Sequence, residues 1–282
     1  MHADWAQRGP DLIADGEINA PMVDQALAWL AGRVPDARRV LDIGSGPGVA
    51  ACSLAELLPG AEVLAVDGTP ELLELAAARA AGRGLAERVR VRHTTLPDGL
   101  RELPAADLIW VSGVAHHMPD PAEAVRDLAA LLRPGGVLAL REGGLPLRCL
   151  PAYADAGLSA RLQAVNDELA ARHAHPMGAI NAPRGWPVLL REAGLTEVTS
   201  RSFLLDRPAP LDRRDREGLL RHLRAARDLM AEQLDDADLA RLDRLTSDTD
   251  PESVLHRDDA FLLRASTVYT GTQSAVPEVR GR

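Results

Sequence analysis

Short apolar runs alternate with longer amphipathic stretches between residues 39 and 140 of this 282-residue chain. The runs predict five strands, at Val40–Ile43, Glu62–Val66, Val89–Arg92, Asp107–Val111 and Val137–Leu140. The stretches between them predict helices at Val49–Leu58, Pro70–Ala81 and Pro121–Leu132. Because this spacing is typical of right-handed βαβ units, the pattern predicts an α/β fold with a doubly wound parallel sheet.

The alternation is interrupted on both sides of this core. Before it, one apolar face predicts a helix over Pro21–Ala31. After it, Gly143–Arg184 predicts helical pieces such as Ser159–Arg172 and no strand, and Asp206–Arg257 predicts a second helical stretch. The remaining segments predict further core elements, a helix at Gly185–Ala193 and strands at Glu197–Leu205 and Phe261–Thr270.

Composition and charge narrow the classes of partner. Hydrophobic residues make up 46% of the chain, enough for a sizeable core, and the net charge is -9. An acidic chain argues against binding to nucleic acid or to an anionic membrane, because both ligands favour a basic surface. The two cysteines, Cys52 and Cys149, form no CxxC pair. No signal peptide or span of about 18 apolar residues is evident, so we expect a soluble, cytoplasmic protein.

Glycines alternate in the segment Asp42–Gly48, between a predicted strand and a predicted helix. Missing Cβ atoms permit a tight turn and the close approach of a ligand, and the free N–H groups that begin the helix can receive a carboxylate. A turn without any ligand is an equally good interpretation of this loop alone. Val49 occupies the place of the last glycine of a GxGxxG motif, which counts against a dinucleotide-dependent dehydrogenase.

Asp67 ends the second predicted strand, beside the glycine loop. A carboxylate at this point can accept hydrogen bonds from both hydroxyls of a ribose. Asp67 or Thr69 could instead cap the helix that begins at Pro70. The ribose role is favoured because a complete glycine loop precedes it.

Four motifs occur in order: VLDIGSGPG at Val40–Gly48, AVDGTPELLELA at Ala65–Ala76, DLIWVSGVAHHMPD at Asp107–Asp120 and LLRPGGVLAL at Leu131–Leu140. In this order they resemble the class I S-adenosylmethionine-dependent methyltransferases. The resemblance is closest to the subgroup typified by the ubiquinone and menaquinone biosynthesis enzymes, which also includes many natural-product enzymes. It covers about Val40–Glu142 and implies a Rossmann-like seven-stranded sheet, mostly parallel with an antiparallel last strand, plus helical lid insertions.

The resemblance also implies S-adenosylmethionine as the cofactor and assigns residues to it. The glycine loop would surround the methionine part, and Asp42 would support the loop and the amino group. Asp67 would hold the ribose, with Gly68 and Leu72 packed beside ribose and adenine. The full set of implied cofactor-binding residues is Asp42, Gly44, Ser45, Gly46, Gly48, Asp67, Gly68, Leu72, Thr95, Leu96, Ser112, Gly113 and His117.

Thr95 departs from the pattern of the family. The family usually places an aspartate after the third strand, where its carboxylate reaches the adenine amino group. Here the segment is HTTLP, which aligns Thr95 with that aspartate. The Thr95 hydroxyl or the Leu96 backbone amide would have to make the adenine contact.

The sheet order of the family implies a single domain over residues 1–282. Residues 36–142 would bind the cofactor, and residues 185–205 and 258–270 would complete the core. The segments 1–35, 143–184 and 206–257 would form helical lids over the carboxyl edge of the sheet, where substrates bind in this type of fold. Residues 271–282 would be a flexible tail.

Methyl transfer from a sulfonium needs alignment of the acceptor and, for a protonated acceptor, a general base. The candidate catalytic residues are His117, His116 and Glu142. His117 is the first choice because it follows strand four near the expected methyl group, although it could simply pack there. Glu142 would end strand five on the same edge, with Arg141 facing the other side of the strand, and Glu142 could equally be a cap or an ion-pair partner.

Three further features have bland alternatives. The HAH segment at His173–His175 is too thin a signal for a metal site, and we predict none. The arginines of Arg213–Arg227 alternate with acids at helical spacing, which predicts a solvated, salt-bridged face. Trp186 is a candidate lid residue or a core residue.

The acceptor is predicted to be a small molecule, methylated on oxygen, nitrogen or carbon, and the chain a monomer or homodimer. Two other functions remain open. One is an enzyme that uses S-adenosylmethionine without methylating, such as a cyclase. The other is a catalytically inactive methyltransferase fold that acts as a binding protein.

Overall fold

The computed structural model describes residues 9–173 and 184–275 of the chain, and in it the apolar runs pair into one seven-stranded sheet. The strands are β1 (Arg39–Ile43), β2 (Glu62–Asp67), β3 (Val89–His93), β4 (Ala106–Ser112), β5 (Leu132–Arg148), β6 (Thr196–Arg207) and β7 (Leu262–Thr272). Their order across the sheet is β3-β2-β1-β4-β5-β7-β6. Strands β1 to β5 pair in parallel, and β7 is antiparallel to both β5 and β6, which confirms the predicted fold class.

Helices cover both faces of this sheet. They are α1 (Gly9–Ala31), α2 (Val49–Leu57), α3 (Pro70–Gly82), α4 (Pro121–Ala130), α5 (Ala152–Asp155), α6 (Leu158–His173), α7 (Trp186–Glu192), α8 (Arg213–Met230) and α9 (Asp236–Leu245). Alternate residues of each central strand enter two separate cores. In β1, Val40 joins the core below α1 and α2, and Leu41 joins the core below α4 and α7.

Strand β5 is longer than predicted at both ends. Leu132 already pairs with Ala106, so α4 ends two residues earlier than expected, and the Pro-Gly-Gly segment forms an irregularity within the strand. At its other end the strand continues to Arg148, because residues beyond Gly144 pair with β7. The prediction of no strand in Gly143–Arg184 is therefore wrong, and the first helical insertion begins only after Arg148.

Helix α1 is also longer than predicted, since it is already helical at Gly9 and runs through Pro21. Its buried stripe extends toward the N-terminus to Ile18, which explains why the helix does not begin at Pro21. Gly16 lies against α2, where an added Cβ would stand 3.2 Å from a methyl group of Val49. Gly218 of α8 approaches Ile18 in the same way. Helix α1 is thus held between the start of α2 and the second insertion.

The two helical insertions and α1 form one layer. Helix α6 packs on α8 and on β5, and α8 packs on α1 and α9. Strand β7 runs to Thr272, so the first residues of the predicted tail, Gly271 and Thr272, belong to the sheet, and residues 276–282 lie outside the described part. Among the described helices, none has the length and apolar character needed to cross a membrane.

Candidate functional site

The glycine loop lies at the carboxyl edge of β1, next to the neighbouring strand β4, where the strand order of the sheet reverses direction. Gly44, Gly46 and Gly48 all have positive φ angles, +68°, +51° and +74°. An added Cβ at Gly48 would stand 2.9 Å from the backbone of Ala76 in α3, so close packing of the protein itself requires that glycine. Gly46 differs, because a Cβ there would meet nothing within 4 Å. The protein leaves the face of the loop at Gly46 open.

Asp67 closes β2 and ties it to the glycine loop. Its Oδ2 accepts a hydrogen bond from the Gly46 N–H at 2.9 Å, and its Oδ1 accepts one from the Thr69 N–H at 2.9 Å. Thr69 makes no side-chain cap of α3. A carboxylate carries about four lone-pair sites, so each oxygen of Asp67 can accept a further bond from a ligand hydroxyl.

Two buried polar atoms beside the loop have no hydrogen-bond partner among the described residues. Asp42 is 2% exposed and its Oδ2 accepts no hydrogen bond, and the buried Ser45 Oγ is also unpaired. Burial, and then the nearby charge of Asp67, raise the pKa of Asp42 to about 7. Unpaired buried polar atoms are costly, and they are expected where a ligand completes the site.

The predicted adenine end is less uniform. Thr95 is exposed, and its carbonyl accepts the Gly99 N–H at 2.8 Å. Leu96 is half-buried against the core below α4. Gly68 is exposed, and its carbonyl bonds the His93 ring at 3.2 Å. Leu72 is only 3% exposed, so its side chain has little surface left for a ligand. It lies on the buried face of α3.

Ser112 and Gly113 lie at the end of β4, as predicted. Gly113 has a φ of +66° and donates its N–H to the Arg141 carbonyl at 3.0 Å. The Ser112 Oγ accepts a hydrogen bond from Arg141 Nη1 at 2.7 Å, and Arg141 Nε donates to Ser266 Oγ at 2.9 Å. Burial, and then the charge of Arg264, lower the pKa of Arg141. Arg141 therefore faces the α1 side of β5, as its position in the strand predicts.

Glu142 and His116 form a pair on the opposite face of β5. The Glu142 Oε1 accepts hydrogen bonds from the N–H groups of Val114 and Ala115 at 3.1 and 2.9 Å. Its Oε2 lies 2.8 Å from His116 Nδ1. The Glu142 side chain is 4% exposed and the His116 side chain is 47% exposed. The hydrogen bond to Glu142, partly offset by burial, raises the pKa of His116.

His117 lies beside this pair in the 3-10 turn Ala115–His117. Its ring centroid is 3.9 Å from that of His116, and its backbone N–H donates to the Val114 carbonyl. The structure thus joins His116 to Glu142. Glu142 both caps the turn through two backbone N–H groups and pairs with the imidazole of His116. His117 was the first candidate from sequence, but the orienting carboxylate contacts His116.

Sequence reasoning did not find the polar groups that α1 and β7 bring to this edge. Asp15 of α1 lies 3.5 Å from His222 and 3.9 Å from Arg264. Desolvation raises the pKa of Asp15, but hydrogen bonding to His222 and the positive charges of His222, Arg264 and Arg141 outweigh it and lower the pKa overall. These residues are distant in sequence and belong to no motif, and only the placement of Arg141 on the alternate face of β5 pointed towards this cluster.

The other features noted in the sequence have structural explanations. In the arginine run, Arg213 pairs with Glu217 at the predicted helical spacing, whereas Arg216 and Arg227 pair with Asp258 and Asp243, which lie outside α8. Trp186 packs against the core below α4. Histidine 175 lies outside the described residues, as does the side chain of histidine 173, and the described residues contain no group of three or more possible metal ligands.

The strand order with antiparallel β7, the glycine loop after β1 and the acidic end of β2 together define the class I methyltransferase fold. The family model for a methyltransferase domain matches residues 41–138. That range runs from Leu41 of β1 to Leu138 of β5 and excludes α1 and both helical insertions. Residues 41–138 therefore form a domain similar to the class I methyltransferases, whose cofactor is S-adenosylmethionine.

Similar proteins agree with this class. The chain is 40% identical over 114 residues to a ubiquinone biosynthesis O-methyltransferase of Xylella fastidiosa, covering 40% of this chain and 45% of that protein. It is 38% identical over 116 residues to a trans-aconitate 2-methyltransferase of Methylobacterium radiotolerans, covering 40% of this chain and 42% of that protein. The matched part of the chain thus spans less than half the length of either relative.

The fold as a whole has a solved counterpart. An O-methyltransferase family protein from Burkholderia thailandensis superposes with a TM-score of 0.55 at 17% identity, covering 96% of this chain and 61% of that chain. At this identity the similarity concerns the fold, including the elements outside residues 41–138. It carries no information on the acceptor.

Proposed function

We propose that this protein transfers the methyl group of S-adenosylmethionine to the oxygen, nitrogen or carbon of a small-molecule acceptor in a biosynthetic pathway. The observation that carries the proposal is the open space at Gly46, whose N–H bonds the Asp67 carboxylate, in the segment Asp42–Gly48 that also holds the unpaired buried atoms Asp42 Oδ2 and Ser45 Oγ. A loop that only served as a turn would have no reason to leave these groups without partners.

Separate groups of residues fit the methionine, ribose and adenine parts of the cofactor. Gly44, Gly46 and Gly48 would surround its methionine moiety, and Asp42 would face its ammonium group. Asp67 would accept the ribose hydroxyls while keeping its two backbone bonds. Thr95 and the Leu96 amide would meet the adenine, and the carbonyls of Ser112 and Gly113 would lie near the ammonium group.

When bound, S-adenosylmethionine supplies a methyl group on a sulfonium that leaves as a neutral thioether, so no enzyme nucleophile is required. The work of the chain is to hold the acceptor atom in line with that methyl group. Such alignment can supply about 7–11 kcal/mol of the barrier reduction. Helix α1 and the two insertions, which pack on one another, would cover the carboxyl edge and exclude water from the reacting atoms.

His116 is the proposed general base, with Glu142 as its positioning residue. Glu142 accepts the Nδ1–H, which leaves Nε2 of the same ring unprotonated and able to take a proton from the acceptor. Among the described residues, none hydrogen-bonds that Nε2. Glu142 is itself fixed by the N–H groups of Val114 and Ala115, so the imidazole has a set orientation.

Binding of S-adenosylhomocysteine, followed by calorimetry, tests the cofactor assignment. Asp67→Asn should weaken binding by about 10- to 100-fold, because one charged acceptor of the ribose is lost. Asp120→Asn is the matched control, since Asp120 caps α4 and lies outside the site. Equal affinity of the Asp67→Asn variant and the control would refute the assignment.

A screen of small-molecule acceptors, read as release of S-adenosylhomocysteine, tests the activity. Methylation predicts one molecule of S-adenosylhomocysteine for each methylated product. Product formation without release of S-adenosylhomocysteine would indicate a non-methylating enzyme. Tight cofactor binding with no turnover across the panel would favour a binding protein.

A further inference from the structure

A cavity of about 340 Å³ lies between α1, the end of β5, α6 and α8. Its walls come from α1, from β5 beyond Glu142, from the two helical insertions and from β7. All of these lie outside residues 41–138, the part that matches the methyltransferase domain. A cavity of this size is ample for a small molecule.

Most of the cavity wall is aliphatic. Leu150 and Leu158 border it from the first insertion, and Leu223 and Met230 border it from α8. No phenylalanine, tyrosine or tryptophan lines it within the described residues. A cationic ammonium ligand would therefore find no aromatic cage, the usual apolar surface for such a group.

The two carboxylates in the wall are already engaged. Asp155 accepts hydrogen bonds from the N–H and the hydroxyl of Ser159 and lies 3.8 Å from Arg148. Asp15 is held by the ring of His222, whose Nδ1 lies 3.5 Å from Asp15 Oδ1. Neither acid is therefore left to attract a cationic ligand.

The guanidinium groups in the wall are less well satisfied. Arg264 makes only long contacts, 3.5 Å to Asn19 Oδ1 and 3.9 Å to Asp15 Oδ1. Arg221 of α8 lines the cavity, and the described residues offer it no hydrogen bond or ion pair. The charge available to a ligand in this cavity is positive.

The charged end of the cavity adjoins the edge where the cofactor is proposed to lie. Asp15 and Arg264 line the cavity; the positive charge of Arg141 helps to lower the pKa of Asp15, and the positive charge of Arg264 helps to lower the pKa of Arg141. Arg141 in turn donates a hydrogen bond to Ser112 at the end of β4. Arg141 thus links the charged end of the cavity to the carboxyl edge of the sheet.

We propose that this cavity binds the methyl acceptor and that the acceptor combines an aliphatic body with a carboxylate, which Arg264 and Arg221 hold. This inference rests on the proposed methyl transfer, because it places the acceptor beside that edge. The aliphatic wall contributes burial of the body, and the two guanidinium groups provide charge-assisted hydrogen bonds to the anion.

Three probes of equal length test the proposal: octanoate, octanamide and octylammonium. Calorimetry with the full chain saturated with S-adenosylhomocysteine should show the tightest binding for octanoate. Arg264→Met should weaken octanoate binding by about 10- to 100-fold and leave octanamide unchanged, because only the charged contact is removed. Arg221→Met should act in the same direction.

Arg213→Met is the matched control on the same helix as Arg221. Its side chain is 92% exposed, pairs with Glu217 and lies outside the cavity wall, so octanoate should bind this variant as it binds the unmodified protein. Ala226→Phe fills the cavity and should weaken octanoate and octanamide alike. Thermal unfolding of each variant shows that the fold is retained.

Four results would overturn the proposal: absence of octanoate binding, octylammonium binding as tightly as octanoate, unchanged octanoate affinity in Arg264→Met, or unchanged affinity in Ala226→Phe. Affinity for S-adenosylhomocysteine alone is measured separately on the same variants. If that ligand binds while the octanoate result fails, the proposed function stands and the acceptor class is wrong. If it does not bind, the proposed function fails, and octanoate titration of the chain alone still tests the cavity.

Discussion

The carboxylate of Glu142 and the imidazole of His116 are joined by a contact of 2.8 Å between Oε2 and Nδ1, with the carboxylate buried and the imidazole half-exposed. The carboxylate of Glu142 also accepts hydrogen bonds from two backbone N–H groups at the turn that carries the histidine. The same carboxylate therefore builds the turn and sets the orientation and charge of the ring.

The first prediction concerns the pKa of His116. An ionised Glu142 stabilises the imidazolium, so the pKa should lie above 6.5 in the unmodified protein and fall in Glu142→Gln. NMR titration of the ring protons measures it, with His116→Gln to assign the signal. Asp120→Asn, which alters a carboxylate elsewhere, should leave the pKa unchanged. Equal pKa values in Glu142→Gln and the unmodified protein would show that the pair does not control the charge.

The second prediction separates the two adjacent histidines. If neutral His116 accepts the proton of the acceptor, His116→Gln should lower kcat by about 10²- to 10⁴-fold, whereas His117→Gln should have a much smaller effect. In the unmodified protein kcat/KM should fall as pH drops below the raised pKa of His116, and Glu142→Gln should move that fall to lower pH. Steady-state release of S-adenosylhomocysteine provides both measurements. A larger loss in His117→Gln would restore His117 as the base.

The fold of the central part could be predicted from sequence because its signals are local. Apolar runs of strand length that end at or next to glycines specify β1, β2 and β4, and alternating valines mark β3; the predicted bounds of all four strands agree with the structure within one residue. The extension of β5 to Arg148 was missed, since it depends on pairing with β7, more than a hundred residues later in the chain. Long-range pairing of this kind leaves no periodic mark in Gly143–Arg148.

Some residues of the candidate site could likewise be predicted from local motifs, and others could not. Asp42, Gly46 and Asp67 belong to motifs of fixed spacing, so their juxtaposition follows once β1 and β2 are neighbours. Asp15 and Arg264 lie close together because α1 packs on β7, and the sequence does not show that long-range packing. The preference for His116 over His117 also could not be predicted from sequence, because the sequence of a turn does not show which of two adjacent side chains points toward Glu142.

The third prediction compares two glycines of the loop. Gly46→Ala adds a methyl group in open space, so the protein should fold with a loss of about 1–2 kcal/mol for the positive φ. Its affinity for S-adenosylhomocysteine should nevertheless fall strongly, because the methyl group enters the proposed ligand space. Gly48→Ala clashes with the backbone of Ala76 and should reduce thermal stability much more. Full cofactor affinity in a folded Gly46→Ala variant would contradict the proposed site.

The fourth prediction concerns the pH dependence of cofactor binding through Asp42. Its pKa of about 7 means that the free protein loses the Asp42 proton near neutrality. An ammonium group of the cofactor attracts only the ionised carboxylate, so affinity for S-adenosylhomocysteine should rise with pH and level off above about 7. Calorimetry from pH 5 to pH 8 measures the slope, which approaches about tenfold per pH unit below the pKa. Asp42→Asn should flatten it, whereas His116→Gln should preserve it.

The same carboxyl group gives a readout that needs no ligand. Because the pKa of Asp42 is 3.8 in the unfolded chain and about 7 in the folded one, the folded state binds more protons between these values. The contribution of Asp42 to stability is therefore lost progressively as pH rises through this window, by at most about 4 kcal/mol. Denaturant unfolding at pH 5 and pH 8 should show Asp42→Asn gaining stability relative to the unmodified protein at the higher pH. An equal difference between the two proteins at both pH values would mean that Asp42 ionises normally, and the role assigned to it toward the cofactor ammonium would lose its basis.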